Sequence, residues 1–208
     1  MNTRTLTGWF LILGPIVTFV VVGVLWPSLI GGGDAGPDTV RDLMKNPQLS
    51  LIITSAGSIV FVATFIGLAL LANSMNGGDK AGSAYAVVSG VIFVGLTAVG
   101  IAATGMNPAT MEIAKTSPES AAIVDLVADG MFAGVSFYWG IGNILLGTAI
   151  LIQKRLHVVI GWLFVVFGIV PILATVIHID VPDVVGLVVW IALSLITAAA
   201  GVFVLRGK

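Results

Sequence analysis

Two aspartates, Asp125 and Asp129, stand one helical turn apart in the stretch VDLVADGMFAGVSFYWGIGN, at the head of an apolar run. At about 100° per residue, Ser136, Gly140, Asn143 and Gly147 fall in the same narrow sector below them. Trp139 lies at the edge of that sector and Tyr138 points away. Polar residues in a spanning helix face the bundle or a wet cavity, because lipid offers them no partner. Paired carboxylates above such a stripe fit a vestibule that draws in a cation or a small polar solute, with Asn143 as a deeper hydrogen-bonding stop. The same residues also make sense with no ligand at all. Carboxylates are favoured near a helix N-terminus by the helix dipole, Glu119 beside Pro118 fits that account, and Asn143 can tie two helices together.

A second constellation, HIDVPD, places His178, Asp180 and Asp183 at a turn between two apolar runs. Imidazole with carboxylates is chemistry for zinc or another divalent ion. Yet the spacing matches no dedicated metal pattern, and aspartates flanking a proline are ordinary turn residues. Other chemistry is limited by residue type. The chain has no cysteine and only two histidines. His157 and His178 sit 21 positions apart on one expected helix, roughly 30 Å along its axis, so they cannot share a haem. Repeated Glu-x-x-His elements of a di-iron bundle are missing, as is a Gly-x-Ser-x-Gly element. Every lysine lies at a loop or terminus, which leaves no site for a retinal Schiff base. The apolar runs carry no ionisable residue near their middles, which argues against energised pumping. No cofactor is expected, and the balance leans away from an enzyme.

The elements that position these residues follow from composition. Hydrophobic residues make up 58% of the chain and charged residues 9%, against roughly 45–50% and about 25% in soluble domains. That excess cannot be buried in a core of this size, so the bilayer is the expected solvent. A net charge of −1 gives no reason to expect nucleic acid. Six apolar runs near the length needed to span hydrocarbon are read at 8–30, 49–72, 84–105, 131–152, 157–178 and 184–205. Runs this long without alternation specify helices rather than barrel strands. The first follows Arg4 as a secretory signal does, but it is as long as a full span and ends in Gly31-Gly32-Gly33 without a small-x-small cleavage pattern. It reads as a transmembrane helix. The expected fold is all-α, one integral membrane domain over 1–208, with short interfacial helices on the outer face. Those helices are read from Pro37 in GPDTVRDLMKNP, from Asn107-Pro108 in NPATMEIAK and from Ser117-Pro118 in SPES. Arg4, Lys80, Lys154, Arg155, Arg206 and Lys208 fall on one side, against Arg41, Lys45 and Lys115 on the other. The positive-inside rule then puts both termini in the cytoplasm of a plasma-membrane protein. Of the acidic residues only Asp79 falls inside.

Small residues form stripes at Ala86, Gly90, Thr97, Gly100 and Thr104, and at Gly186, Ser194, Thr197 and Gly201. These are faces for close packing within the bundle, and the same pattern serves self-association. GWFLILGPIV at Gly8 and GWLFVVFGIVPI at Gly161 share a Gly-Trp entry with glycine and proline deeper in. The segment KRLHVVIGWLFVVFGIVPIL, followed by a closing apolar helix, resembles small bacterial six-helix membrane proteins grouped as a domain of unknown function. The resemblance covers about the last third of the chain and implies the architecture alone. Two functions are carried forward. One is a non-enzymatic structural or accessory subunit that binds another membrane protein or its own copies. The other is a passive channel or small-solute or cation transporter with an acidic outward-facing vestibule.

Overall fold

The computed structural model describes residues 2–177 and 183–207, with side chains for 2–174 and 186–207. Among them the regular structure is helical throughout. Helix α1 is Thr3–Leu29, α2 Pro37–Lys45, α3 Pro47–Ser74, α4 Ser83–Ala114, α5 Pro118–Gln153, α6 Val158–Ile177 and α7 Asp183–Arg206. Five of these, α1, α3, α4, α5 and α7, are long and apolar enough to cross a membrane. The sixth apolar helix, α6, is shorter over its described length, Val158–Ala174.

Local chemistry sets the ends. The side chains of Asn2, Asn46 and Ser117 accept the backbone N–H groups of Thr5, Leu49 and Ser120, which caps α1, α3 and α5. Pro47 and Pro118 occupy first helical positions, where no N–H is needed. Within α1, Phe19–Leu25 forms a π-type turn a few residues beyond Pro15. Such wide turns relieve a strained hydrogen-bond ladder at a local cost in geometry.

One sequence expectation is corrected. Among the described residues only α2 is a separate short helix at the acidic end. Asn107-Pro108 does not start a helix, because α4 continues through Pro108 to Ala114. Ser117-Pro118 does cap a helix, but that helix is α5 itself, which runs without a break to Gln153. At 1.5 Å per residue, α4 and α5 are roughly 48 and 54 Å long, well beyond the ~30 Å hydrocarbon layer. Their surplus forms the wall against which α2 rests.

The long helices form a ring. Each of α3, α4, α5, α6 and α7 packs on its neighbour in sequence, α3 packs on α1, and α7 closes on α1. The centre is filled by Leu11, Phe65, Leu68, Phe93, Leu96, Val135, Trp139, Leu146, Phe164, Leu193 and Ile196, one continuous apolar cluster drawn from all six. Where two helices must come closest, both carry glycine. A Cβ on Gly140 would lie 2.5 Å from the Gly168 carbonyl oxygen, and one on Gly168 would lie 2.7 Å from that of Gly140. Gly8 and Gly201 make the equivalent contact between α1 and α7, where a Cβ on Gly201 would lie 2.7 Å from the Gly8 oxygen. The hydroxyls of Ser58 and Thr104 meet at 2.6 Å across α3 and α4.

These contacts predict a position-dependent response to one methyl group. Gly168→Ala forces α5 and α6 apart and lowers stability by about 1–3 kcal/mol, the usual cost of overpacking. Gly95→Ala, with nothing within 4 Å of the added carbon, leaves stability unchanged or slightly raised by helix propensity. Thermal unfolding of the two variants in the same detergent checks the contrast.

Candidate functional site: an acidic-rimmed cavity

The turns of α5 nearest Pro118 stand beyond the 131–152 stretch and carry the two aspartates. Asp125 is 6% exposed. Its Oδ2 accepts the backbone N–H of Gly36 at 2.7 Å, across 89 positions of sequence. Gly36 has φ +97°, a conformation that glycine adopts at no steric cost, and it leads directly into α2. Asp125 therefore holds the entry to α2 against α5. Burial pushes its carboxyl above the ordinary value, and the Gly36 N–H and Thr39 hydroxyl pull in the other direction.

Asp42, within α2, folds the preceding glycine loop back onto that helix. Its Oδ1 accepts the Lys45 ammonium at 2.6 Å, and its Oδ2 faces the Gly33 N–H at 3.4 Å. A Cβ on Gly31, whose φ is +151°, would collide with that carboxylate, so the Gly31-Gly32-Gly33 run wraps a side chain that tolerates no bulk beside it. The Lys45 hydrogen bond holds the Asp42 carboxyl below its ordinary value. Ser50 donates to the Leu43 carbonyl at 2.9 Å and ties α2 to the start of α3.

Beneath this strap lies a cavity of about 410 Å³, bounded by α1, α3, α4, α5, α7 and Thr39 of α2. Asp125, Asp129 and Asn107 line it near the acidic end. Trp26, Phe61, Phe132 and Trp190 give it aromatic walls, with Val22 and Ile53 between them. The hydroxyls of Thr18, Thr54 and Thr104 line it too, but each donates to a carbonyl of its own helix. Asp129 is exposed and makes no hydrogen bond or ion pair among the described residues. It is the free charge on the cavity wall.

Aromatic rings pack together below the acidic rim of the cavity. Phe61 meets Phe132 at 5.8 Å and Phe65 at 4.9 Å, and Phe65 in turn packs on Trp139 at 5.7 Å and Phe93 at 6.4 Å. This aromatic plug stands between the acidic end and the lower part of the stripe read from the sequence. Of that stripe, Asp125 and Asp129 line the cavity; Ser136 and Asn143 do not. Ser136 is exposed and donates to the Phe132 carbonyl of its own helix, so its hydroxyl is satisfied without turning inward. Asn143 is fully buried at the α5–α6 contact, and among the described residues neither its amide nitrogen nor its oxygen has a partner, nor has the indole nitrogen of Trp139 one turn away. The metal trio is not brought into view. His178 and Asp180 lie outside the described residues, and of Asp183 only the backbone, as the first residue of α7, is described. Among the described residues no three His, Asp or Glu side chains gather as metal ligands.

The Gly36 contact was not readable from the sequence, because a backbone donor leaves no residue-type signal. It yields a prediction. Asp125→Ala strands a buried N–H and destabilises the α2 segment by about 1–3 kcal/mol. Asp125→Asn retains an acceptor oxygen and sheds a charge that burial penalises, so it is neutral or stabilising. The pH dependence follows with opposite signs at the two carboxyls. Asp125, raised in the fold, contributes more as pH falls through its pKa. Asp42, depressed in the fold, contributes above the ordinary carboxylate range and loses that contribution as pH falls through its own lower value. Amide exchange over 31–45 should therefore stay slow on mild acidification and quicken only when Asp42 protonates.

No family model, curated protein or solved structure matches this chain.

Proposed function

We propose that this chain is a non-enzymatic, multi-pass membrane protein that binds a small organic cation in the cavity beneath α2. The observation that carries the reading is the unpaired Asp129 carboxylate above a chamber walled by Trp26, Phe61, Phe132 and Trp190. An ammonium gains from a carboxylate and from the faces of aromatic rings together, and the apolar walls take the body that carries it. The plug below favours binding over conduction, since a passive channel or transporter needs a wetted route past Phe61 and Phe65. An accessory subunit held by its small-residue faces draws less support, because Gly90, Gly100 and Gly201 of those faces are against neighbouring helices of the bundle and only Gly186 among their glycines is open.

The test uses the full chain in nanodiscs of zwitterionic lipid, titrated with benzyltrimethylammonium and followed by tryptophan fluorescence. Saturable quenching that weakens on the order of tenfold in Asp129→Asn supports the reading. Quenching that does not saturate, or that is the same in the variant, overturns it.

The orientation we infer has six spans, with α2 and the cavity facing out and both termini in the cytoplasm. Its support is the bias of Lys and Arg toward the opposite end. The chain lacks cysteine, so single replacements report cleanly. An impermeant maleimide added outside intact cells should label Asp34→Cys and spare Lys154→Cys. Labelling of both from one side would reverse or break this topology.

A further inference from the structure

The opposite end of the bundle holds a second recess, of about 460 Å³, lined by Thr3, Arg4, Thr7, Leu71, Ser74, Arg155, Leu156, Val204 and Gly207. Among the described residues its lining has two guanidinium-bearing side chains and no acidic one. Arg4 is fixed in place: its Nε donates to the Val204 carbonyl at 2.7 Å and its Nη2 to the Leu205 carbonyl at 2.8 Å. Those are final-turn carbonyls of α7, where a helix runs out of its own donors; the Val204 oxygen also accepts the Gly207 N–H at 3.2 Å. Gly207, at φ +74°, leaves room for the guanidinium, which a side chain there would displace. Two of the five N–H groups are thus committed and three remain. Arg155 has no hydrogen bond or ion pair among the described residues and brings its complete set of five donors.

We infer that this recess binds a phosphate-bearing anion between Arg4 and Arg155. A guanidinium is a planar fork that matches two phosphate oxygens at once, and a tetrahedral anion offers enough oxygens to engage both arginines and the Thr3 hydroxyl. The hydroxyls of Thr7 and Ser74 are not part of the site, since they donate to the Thr3 and Leu71 carbonyls. Leu71, Leu156 and Val204 supply an apolar side for whatever the phosphate is attached to. Trp9 and Trp162, both largely exposed near the same end of the bundle, suit the headgroup level of a bilayer. The phosphate therefore comes either from a soluble ester or from an anionic lipid headgroup, and the site chemistry is the same for both.

The experiment separates the two sources. In one arm, full-length protein in phosphatidylcholine nanodiscs is titrated with inorganic phosphate and with glycerol phosphate by calorimetry. In the other, protein from mixed phosphatidylcholine and phosphatidylglycerol is examined for retained lipid by native mass spectrometry. Both arms are run on the wild type, Arg155→Gln and Arg155→Lys. Arg155 makes no hydrogen bond or ion pair among the described residues, so neither variant removes a bond of the fold. Saturable binding of the soluble anions, weakened on the order of tenfold by Arg155→Gln and less by Arg155→Lys, assigns the site to a soluble phosphate. Selective retention of phosphatidylglycerol that falls in Arg155→Gln, without soluble binding, assigns it to lipid. Absence of both, or binding that Arg155→Gln leaves unchanged, overturns the inference. Because this recess and the acidic cavity share no residue, either can fail without the other.

Discussion

In hydrocarbon, an apolar side chain gains nothing by exchanging a lipid tail for a neighbouring helix. Cohesion must come from dispersion at very short range and from polar groups that find partners inside the protein. This constraint explains the paired glycines. At Gly140 and Gly168, and again at Gly8 and Gly201, one backbone approaches another with no side chain between them. The first contact joins α5 to α6 and the second closes α7 on α1. Without them the ring would open along two seams, and the central cluster around Phe65 and Phe164 would face lipid.

The same constraint divides the molecule by polarity. Between the two ends, many hydroxyls bond their own helices, as at Thr18, Thr97 and Thr197, a few cross to a neighbour, as at Ser58 and Ser89, and the described charges lie in loops, in α2 and in the outer turns of the long helices. At one end acidic groups have become structural, with Asp125 accepting the Gly36 N–H at the entry to a nine-residue helix and Asp42, within that helix, accepting the Gly33 N–H of the preceding loop. At the other, Arg4 satisfies helix-end carbonyls. In each place one charge is tied into the scaffold and another, Asp129 or Arg155, is left free beside it. The tied charge is held by backbone and can be placed accurately; the free one has no partner among the described residues.

Much of the architecture was legible because hydropathy is a long-range average. Each of the six apolar runs falls on a helix over nearly all of its described length, and the starts at Pro47 and Ser83 lie within two residues of the expected ones, whereas the helix expected from 131 begins at Pro118. Asn107-Pro108 misled because a cap and a mid-helix proline have the same local sequence, and only the continuation of the ladder beyond them distinguishes the two. The carboxylates Asp125 and Asp129 were found by helical phase. Phase alone could not divide the stripe, because it does not say how deep the neighbouring helices reach or that Phe61 and Phe132 close the floor. The recess at Arg4 and Arg155 was invisible for a simpler reason: its two arginines are brought together only by closure of the ring.

The π-type turn at Phe19–Leu25 has an effect on the cavity that its small size conceals. A wide turn of this kind amounts to one inserted residue, so everything beyond it on α1 is rotated by roughly 100° relative to an uninterrupted helix. Trp26 lies just past the insertion. Its indole lines the chamber because the screw of α1 slips there, and removing the slip would sweep the ring toward lipid while Thr18, on the near side, stayed where it is. One aromatic wall is thus mounted on a local change of helical pitch, and the shape of the chamber is set by backbone winding as much as by the side chains that face it.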